Sequence, residues 1–220
     1  QIVRLSALLH DVGHAPLSHM GELFLPARSA VLPPQLVGTL DDTGMHEPAD
    51  HEDYTAAIIM DNDLGDAIEH AFADLSIDRQ EIVALIRAGA SLPSDLFVIN
   101  GIDWRPMLSQ IISSEMDADR MDYLLRDTYY CGVSYGRYDQ DWLLSNLTPV
   151  ISDGRARLGI VSKAIFSFED FLISRYHMFL SVYYHSRVRG FGRMLQLFFE
   201  HEQFTFPADL ESYLSMDDTS

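Results

Sequence analysis

The residues best suited to chemistry lie near the start of the sequence, in the run Leu8-Leu9-His10-Asp11-Val12-Gly13-His14-Ala15-Pro16-Leu17-Ser18-His19. An imidazole beside a carboxylate is a donor pair for first-row divalent metals, and a carboxylate is able to bridge two such ions. A lone His-Asp dipeptide usually lies on a surface without a metal. Here the pair ends an apolar helical pattern and precedes a glycine, a proline and two further histidines. We therefore interpret His10 and Asp11 as metal ligands.

A second group of charged residues occupies Glu115–Asp127. Residues three and four apart share one face of a helix, which places Asp119, Asp122, Tyr123 and Arg126 on one side. Taken alone, this pattern favours a solvated helix face held by ion pairs.

Length, composition and cysteine content restrict the class of protein. With 220 residues, 47% of them apolar, the chain is long enough for one large domain or two small ones. No apolar run reaches the roughly 18 residues of a membrane span, and the first residues lack a signal-peptide pattern. Cys131 is the single cysteine, which favours a reducing compartment. We expect a cytoplasmic protein with no membrane partner.

The strongly acidic charge argues against one class of substrate. The net charge is -18, from 15 basic and 33 acidic residues. Such a surface repels polymeric nucleic acid, and the sequence contains no basic cluster to offset it. A small anionic ligand remains open, provided that a metal and a few arginines surround it.

Hydrophobic periodicity predicts a mainly α protein with one small β-hairpin. The hairpin is placed at 148–162, where the apolar pairs on either side flank Ser152-Asp153-Gly154. Helices are predicted over 2–10, 52–60, 64–74, Asp78 to near Gly89, Ser113 or Ser114 to Tyr130, 139–147, and Lys163 to about Glu200 with one break at Gly190 or Gly192. Those at 52–60 and 64–74 are expected to be short and amphipathic. Asp78 followed by Glu81 is a capping-box pattern, which marks a helix start.

Three stretches are predicted to lack long helices. Residues 26–50 hold four prolines and two glycines, which predicts an irregular, exposed segment or flap. Residues 95–112 are mixed, with a turn at Asp103, Trp104 and Pro106. The tail from Phe204 is predicted to be polar.

The motifs together resemble those of the HD-domain phosphohydrolase superfamily, within the branch of the deoxynucleoside triphosphate triphosphohydrolases. The resemblance rests on Leu9–His19, Asp117–Tyr123, His51-Glu52, and Phe171–Tyr176 through Tyr183–His185, and it covers essentially residues 1–200. It implies an HD-domain helical bundle whose metallohydrolase core occupies 1–147. Residues 148–220, the hairpin and a long helical segment, would complete the active-site pocket as part of the same catalytic unit.

The resemblance implies a divalent metal held by four residues in the order His, His-Asp, Asp. The last three correspond to His10, Asp11 and Asp119. No histidine precedes His10, so the first ligand is expected upstream of Gln1 or is missing from the protein. A chain opening with Gln1-Ile2-Val3 favours a trimmed fragment. The ligand types fit Mn, Fe, Co, Ni, Zn or Mg, and the sequence does not choose among them.

The resemblance also implies the reaction and its acid–base groups. A deoxynucleoside triphosphate would be hydrolysed to deoxynucleoside and triphosphate by a water that the metal activates. His19 and His51 match active-site histidines of the branch, and Glu22 would orient His19. Either histidine would serve as general acid toward the leaving 5′-oxygen, because imidazole titrates near working pH.

A further set of residues is expected to bind the substrate. Fixed positive groups stabilise the negative charge that develops on a phosphate chain, which is the role implied for the arginines. The implied substrate-binding residues are His14, Arg120, Tyr123, Asp127, Arg175 and Tyr183, with His185 a weaker candidate. For Phe171, Tyr176 and Phe179 we favour core packing. Enzymes of this branch commonly form oligomers, so a homo-oligomer is expected.

Two alternatives remain. The chain could be an HD phosphohydrolase or phosphodiesterase of another subclass, acting on a cyclic nucleotide, an alarmone or a monophosphate. It could also be a nucleotide-sensing HD protein without turnover, which a missing first histidine would favour.

Overall fold

The protein is mainly helical, which confirms the predicted mainly α class, and its small sheet has four strands rather than the two of a lone hairpin. The HD-domain assignment stays a prediction. The computed structural model describes residues 1–37, 42–87 and 96–218. Within these ranges no helix is long and apolar enough to cross a bilayer.

The chain forms two compact units. The first comprises Gln1–Leu96 and Gly192–Ser220, and the second comprises Phe97–Phe191. The expectation that 1–147 and 148–220 act as one catalytic unit stays a prediction.

The first unit is built on helices from the amino-terminal part of the chain. They are α1 (Ile2–Leu9), α2 (Arg28–Val31), α3 (Pro34–Val37), α4 (Asp42–His46), α5 (His51–Asp61), α6 (Asp63–Ala71) and α7 (Arg79–Ile86), with 3-10 turns at Ser18–Phe24 and Ala73–Leu75. Asp50 and Asp53 form a capping box that starts α5, and Asp78 and Glu81 form the predicted one that starts α7. The predicted end near Gly89 lies outside the described residues.

Helix α5 runs through the centre of the first unit. Every residue from Asp53 to Met60 is buried, so the prediction of an amphipathic helix is wrong here. Ile59 and Leu9 belong to one apolar cluster and Tyr54 to another. Helix α5, which begins at His51, is therefore surrounded by the core.

The segment 26–50 is not the exposed flap that its prolines predicted. Its described residues form α2, α3 and α4, and Val31, Leu32 and Leu36 are buried. Pro34 stands at the start of α3, where the missing N–H costs nothing. Helices of four or five residues are too short to show a 3.6-residue period, which is why composition misled the prediction.

The second unit joins a helical core to the sheet. Its elements are β1 (Val98–Ile99), β2 (Ile102–Asp103), α8 (Arg105–Ile112), α9 (Ala118–Tyr130), α10 (Gln140–Leu144), β3 (Leu147–Ser152), β4 (Arg155–Ile160), a 3-10 turn at Ser162–Ala164, and α11 (Ile165–Met178), followed by a π-helical turn at Phe179–Tyr183. Met121, Leu124, Leu143, Phe171 and Met178 form its buried core.

The predicted hairpin is confirmed. Strands β3 and β4 pair antiparallel from Leu147 opposite Ile160 to Ser152 opposite Arg155. Asp153 and Gly154 both take positive φ, 50° and 71°, as a type I′ turn requires. The sheet order is β1-β2-β4-β3, with β2 parallel to β4. Sequence reasoning missed β1 and β2, because strands of two residues carry no alternation, and it also missed α8.

Two predicted helix limits are corrected. Helix α9 begins after Asp117 rather than Ser113 or Ser114, since the Asp117 carboxylate accepts the Arg120 and Ser114 amides. The late helix breaks at the π-helical turn, not at Gly190 or Gly192. The next helix, α12 (Ser186–Glu202), passes through both glycines. A Cβ on Gly192 would stand 2.0 Å from the Met20 Cε, so this glycine allows close packing.

The carboxyl-terminal tail is structured rather than merely polar. It forms α13 (Leu210–Leu214), and Phe206 and Tyr213 are each 3% exposed. Tyr213 stacks on Tyr54 with ring centroids 3.8 Å apart. The tail is polar on average, so its composition did not predict that Phe206 and Tyr213 would pack into an apolar cluster.

Candidate active site

His10 ends helix α1 in a geometry that suits a metal ligand. Its Nδ1 lies 2.9 Å from the carbonyl oxygen of Ala7, which is able only to accept a hydrogen bond. The proton therefore sits on Nδ1, and Nε2 keeps its lone pair. Metal-binding histidines are usually oriented in this way by a carbonyl or carboxylate on the other nitrogen.

The Asp11 carboxylate lies among three imidazole rings. Its Oδ1 is 3.2 Å from His10 Nε2, 3.6 Å from His14 Nε2 and 3.7 Å from His51 Nε2. The Asp11 side chain is 45% exposed, so the group stays open to a ligand. One carboxylate oxygen with three imidazole nitrogens around it is a donor set that divalent transition metals accept.

Glu22 forms a second centre on the other edges of the rings. Its carboxylate lies 2.5 Å from His51 Nδ1, 3.2 Å from His19 Nδ1 and 3.9 Å from His14 Nδ1. His14 and His51 are stacked with centroids 4.1 Å apart. These two rings therefore lie between Asp11 and Glu22, with Nε2 toward the first and Nδ1 toward the second.

The charges of the cluster shift its titration in different directions. Hydrogen bonds from His19 and His51 hold the pKa of Glu22 well below its usual range. The pKa of His19 is raised by its hydrogen bond to Glu22. Burial opposes the charged form of His51, yet the hydrogen bond to Glu22 and the nearby carboxylate charges together raise the pKa of His51. Burial and the nearby His51 lower the pKa of His14.

The same four side chains could hold a metal by their donor types. One ligand atom from each of His14, His19, Glu22 and His51 lies within 4.8 Å of the others. In the described part of the chain, no hydrogen-bond partner reaches the buried Nδ1 of His14. A buried nitrogen without a partner indicates a position that an ion or a bound molecule would complete.

Buried ion pairs fix the beginning of α5, where His51 stands. Asp53 is fully buried and lies 2.9 Å from the Arg28 Nε and 2.8 Å from the Arg87 Nε. Arg28 also pairs with Asp50, the residue that caps the helix. Burial of Asp53 raises its pKa. Sequence reasoning missed this network, because its three elements are distant in sequence.

In the second unit the structure brings together four predicted substrate-binding residues. The Tyr183 hydroxyl donates to Asp127 Oδ2 at 2.5 Å, and burial followed by this contact raises the pKa of Tyr183. Tyr123 meets Tyr183 edge-on at 5.9 Å. Tyr123 also interacts with Arg175, which pairs with Glu115.

The other residues of the second motif lie along the first turn of α9. Arg120 pairs with Asp117 at 3.2 Å, so a buried carboxylate fixes its guanidinium. Asp119 belongs to the same first turn. Its role as a third metal ligand stays a prediction. His185 accepts the Arg187 amide at 3.3 Å, a local contact at the start of α12.

A groove beside Arg175 corrects one core prediction. It is lined by Leu172, Arg175, Tyr176, Phe179, Leu180 and Tyr184. Phe171 is buried as predicted, but Tyr176 is 60% exposed because it faces this groove rather than the core. Phe179 is half-buried, with the Arg175 guanidinium 5.4 Å from its ring centroid.

No protein-family model matches the chain. It is 31% identical to the uncharacterized protein YwfO of Bacillus subtilis over 84% of this chain and 33% of that protein. It is 29% identical to the uncharacterized protein MJ1154 of Methanocaldococcus jannaschii over 99% of this chain and 38% of that protein. The chain thus spans well under half the length of these curated relatives.

A more distant relative has a named activity. The deoxynucleoside triphosphate triphosphohydrolase SAMHD1 homolog of Dictyostelium discoideum is 26% identical over 93% of this chain and 34% of that protein. A crystal structure of a hypothetical protein from Aquifex aeolicus superposes with a TM-score of 0.68 at 30% identity, covering 99% of this chain and 50% of that one. The chain is therefore distantly similar to a nucleotide hydrolase, and other relatives lack a described function.

Proposed function

We propose that this chain carries the catalytic site of a metal-dependent phosphohydrolase, acting on deoxynucleoside triphosphates in the cytoplasm. The observation that carries the proposal is the Asp11 carboxylate oxygen, with the Nε2 atoms of three histidines 3.2 to 3.7 Å away. The similarity to a named triphosphohydrolase supports the substrate class. Polymeric nucleic acid is disfavoured by the net charge of -18.

The proposed metal ligands within this chain are His10, Asp11 and Asp119. The fixed Nδ1 proton of His10 fits this role, since it leaves Nε2 as a donor. Asp119 is included because of its place in the second motif. A divalent ion held by these groups would lower the pKa of a water toward neutrality. The donor types fit Mn, Fe, Co, Ni, Zn or Mg.

The proposed acid–base group is His51, oriented by Glu22. The Glu22 carboxylate accepts the Nδ1 proton of His51, so the imidazolium form is stabilised and its Nε2–H is directed away from Glu22. That proton would pass to the leaving 5′-oxygen. His19 contacts the same carboxylate but its side chain is 72% exposed, which suits a more open position in the site.

The remaining residues would hold the substrate. Arg120, Arg175 and His14 are proposed to contact phosphate oxygens, and the fixed positive charge of the two arginines would offset the developing charge. Tyr123, Tyr183 and Asp127 are proposed to surround the sugar. The bond from Tyr183 to Asp127 fixes both groups, so they would present a rigid surface to it.

The test is release of inorganic triphosphate from a panel of deoxynucleoside triphosphates. The full-length protein would be assayed with Mn²⁺, Mg²⁺, Co²⁺ or Ni²⁺, beside Asp119→Asn and Asp122→Asn. Asp122 lies on the same helix, 59% exposed and paired with Arg126, so its variant is a matched control. We expect activity to vanish in the first variant and persist in the second.

Other outcomes would redirect the proposal. Release of phosphate from a cyclic nucleotide, an alarmone or a monophosphate, with none from triphosphates, would assign the chain to another phosphohydrolase class. A folded, metal-loaded protein that hydrolyses none of these would favour a nucleotide-sensing role. Equal activity in both variants would remove Asp119 from the ligand set.

A further inference from the structure

One buried hydroxyl group holds both ends of the turn that carries His10 and Asp11. Thr55 is fully buried, and its Oγ1 donates to the carbonyl oxygen of His10 at 2.8 Å. The same oxygen accepts the amide proton of Gly13 at 2.9 Å. A single side chain from α5 thus satisfies the first carbonyl and the last amide of the turn.

The turn and α5 approach each other as closely as backbones allow. A Cβ on Gly13 would stand 2.2 Å from the Thr55 nitrogen and 2.3 Å from the His51 carbonyl oxygen. Thr55 lies one helical turn after His51 on the same helix. The hydroxyl therefore links the turn that carries Asp11 to the helix that carries His51. Asp11 Oδ1 and His51 Nε2 are 3.7 Å apart.

The opposite side of the turn is held separately. The Tyr213 hydroxyl donates to the carbonyl oxygen of Gly13 at 2.7 Å. This bond does not reach His10, so it leaves the His10 carbonyl to Thr55. The contribution of Thr55 to the turn is thus distinct from that of the carboxyl-terminal tail.

We propose that Thr55 is a positioning residue, which sets the spacing of His10 and Asp11 relative to His51. The inference rests on the proposed function for the metal at His10 and Asp11. Without the hydroxyl, the partly buried carbonyl of His10 and the buried amide of Gly13 lose their partner, and the turn must shift to recover one. Mutation of a group that orients metal ligands in this way typically lowers metal affinity or activity by about 10- to 100-fold.

The test compares Thr55→Val, which keeps the shape and removes the hydroxyl, with Thr55→Ser, which keeps the hydroxyl. Co²⁺ affinity would be measured on the full-length protein by competition with a chelating dye. We expect about 10- to 100-fold weaker binding in the valine variant and near-native binding in the serine variant. Thr128→Val is the control, because this buried hydroxyl donates to the Leu124 carbonyl in the second unit. Its Co²⁺ affinity should be unchanged.

A second readout uses the metal-free protein. Hydrogen exchange of the Gly13 amide should be fast in Thr55→Val and remain protected in Thr55→Ser. Equal protection and equal Co²⁺ affinity in the valine variant and the native protein would overturn the proposal. So would a serine variant as weak as the valine variant, since the hydroxyl would then not be the cause.

The outcomes separate this inference from the proposed function. Weakened Co²⁺ binding in Thr55→Val, with no nucleotide hydrolysed by the native protein, would support the positioning role and contradict the phosphohydrolase. Nucleotide hydrolysis by the native protein, with unchanged Co²⁺ affinity in Thr55→Val, would support the phosphohydrolase and contradict the positioning role. A native protein that binds no Co²⁺ would overturn both.

Discussion

Near their predicted site residues, the two units carry acidic side chains with different kinds of partner. In the first, Asp11 and Glu22 are surrounded by imidazoles, whose charge changes near neutral pH. In the second, Glu115 and Asp117 pair with arginines, whose charge is permanent. The donor types of the first arrangement fit a cation or a transferred proton, whereas the second holds guanidinium groups whose charge does not titrate.

Rigidity follows the same division. In the first unit, helix α5 is buried, and its capping residue Asp50 is held by Arg28 and Asp53. In the second, Arg175 borders an open groove, and its partner Glu115 is 72% exposed. A proton-transfer site needs fixed distances, while a phosphate contact tolerates a partner that a substrate displaces.

The largest effect on activity is expected from Glu22, whose carboxylate contacts the rings of His19 and His51. Glu22→Gln removes the charge that stabilises protonated His51, so we expect hydrolysis to fall by about 10²-fold or more at unchanged metal content. Turnover and bound metal would be measured together. Glu202→Gln is the control, because Glu202 lies 3.0 Å from His201 in an exposed pair.

The outcome bears on how the first unit works. A matching loss in Glu202→Gln would trace the effect to general instability. Loss of metal together with activity in Glu22→Gln would instead make Glu22 a support of the metal site.

A smaller effect is expected in the second unit. Arg175→Ala would remove the charged contact to phosphate that we propose for this residue. Such a contact is worth about 1.5–3 kcal/mol, so KM should rise by about 10- to 150-fold with less change in kcat. Steady-state kinetics would separate the two. Arg175→Lys should recover part of the loss, since it restores charge without the guanidinium geometry.

Arg126→Ala provides the comparison within the same unit. Arg126 is 57% exposed and pairs with Asp122, so its removal should leave KM near the native value. An unchanged KM in Arg175→Ala would take Arg175 out of the substrate site.

The sequence revealed more of the site than of its supports. The residue types predicted a metal at His10 and Asp11, because this pair ends an apolar helical pattern and precedes two further histidines. The roles of His14, His19, Glu22 and His51 required the resemblance to a known family. Thr55, one turn after His51, carried a usable signal, because residues four apart share a helix face. Tyr213 carried none, since about 200 residues separate it from Gly13.

The fold shows the same limit. Long periodic helices and the Asp-Gly hairpin were predicted correctly, since their signals are local. The four-residue helices α2 and α3 were missed because tertiary burial of Val31 and Leu36, not propensity, stabilises them. Residues whose structure depends on distant partners are the ones that local patterns leave out.

The smallest expected effect concerns pH, and it separates the units most sharply. The pKa values of Glu22 and Glu115 are both lowered from 4.5 by their partners. Each ionised carboxylate therefore stabilises its unit above pH 4.5, and this stabilisation is lost as the pH falls. The pKa values of His19 and His51 are raised from 6.5. Their contribution is complete below 6.5 and is lost as pH rises. Arg175 stays charged over this range, so the stabilisation from the Glu115–Arg175 pair is not lost as pH rises.

The difference in unfolding free energy between native protein and Glu22→Gln should therefore peak between pH 4.5 and 6.5, while that for Glu115→Gln should level off above 4.5. Hydrogen exchange of buried amides at Ile59 and Leu124, corrected for intrinsic rates and measured without metal, reports each unit separately. Both differences should be small, because partly exposed pairs contribute little. A plateau for Glu22→Gln that persists above pH 8 would mean that the histidines do not carry the charge that Glu22 holds, and the contrast between titrating and permanent partners would fail.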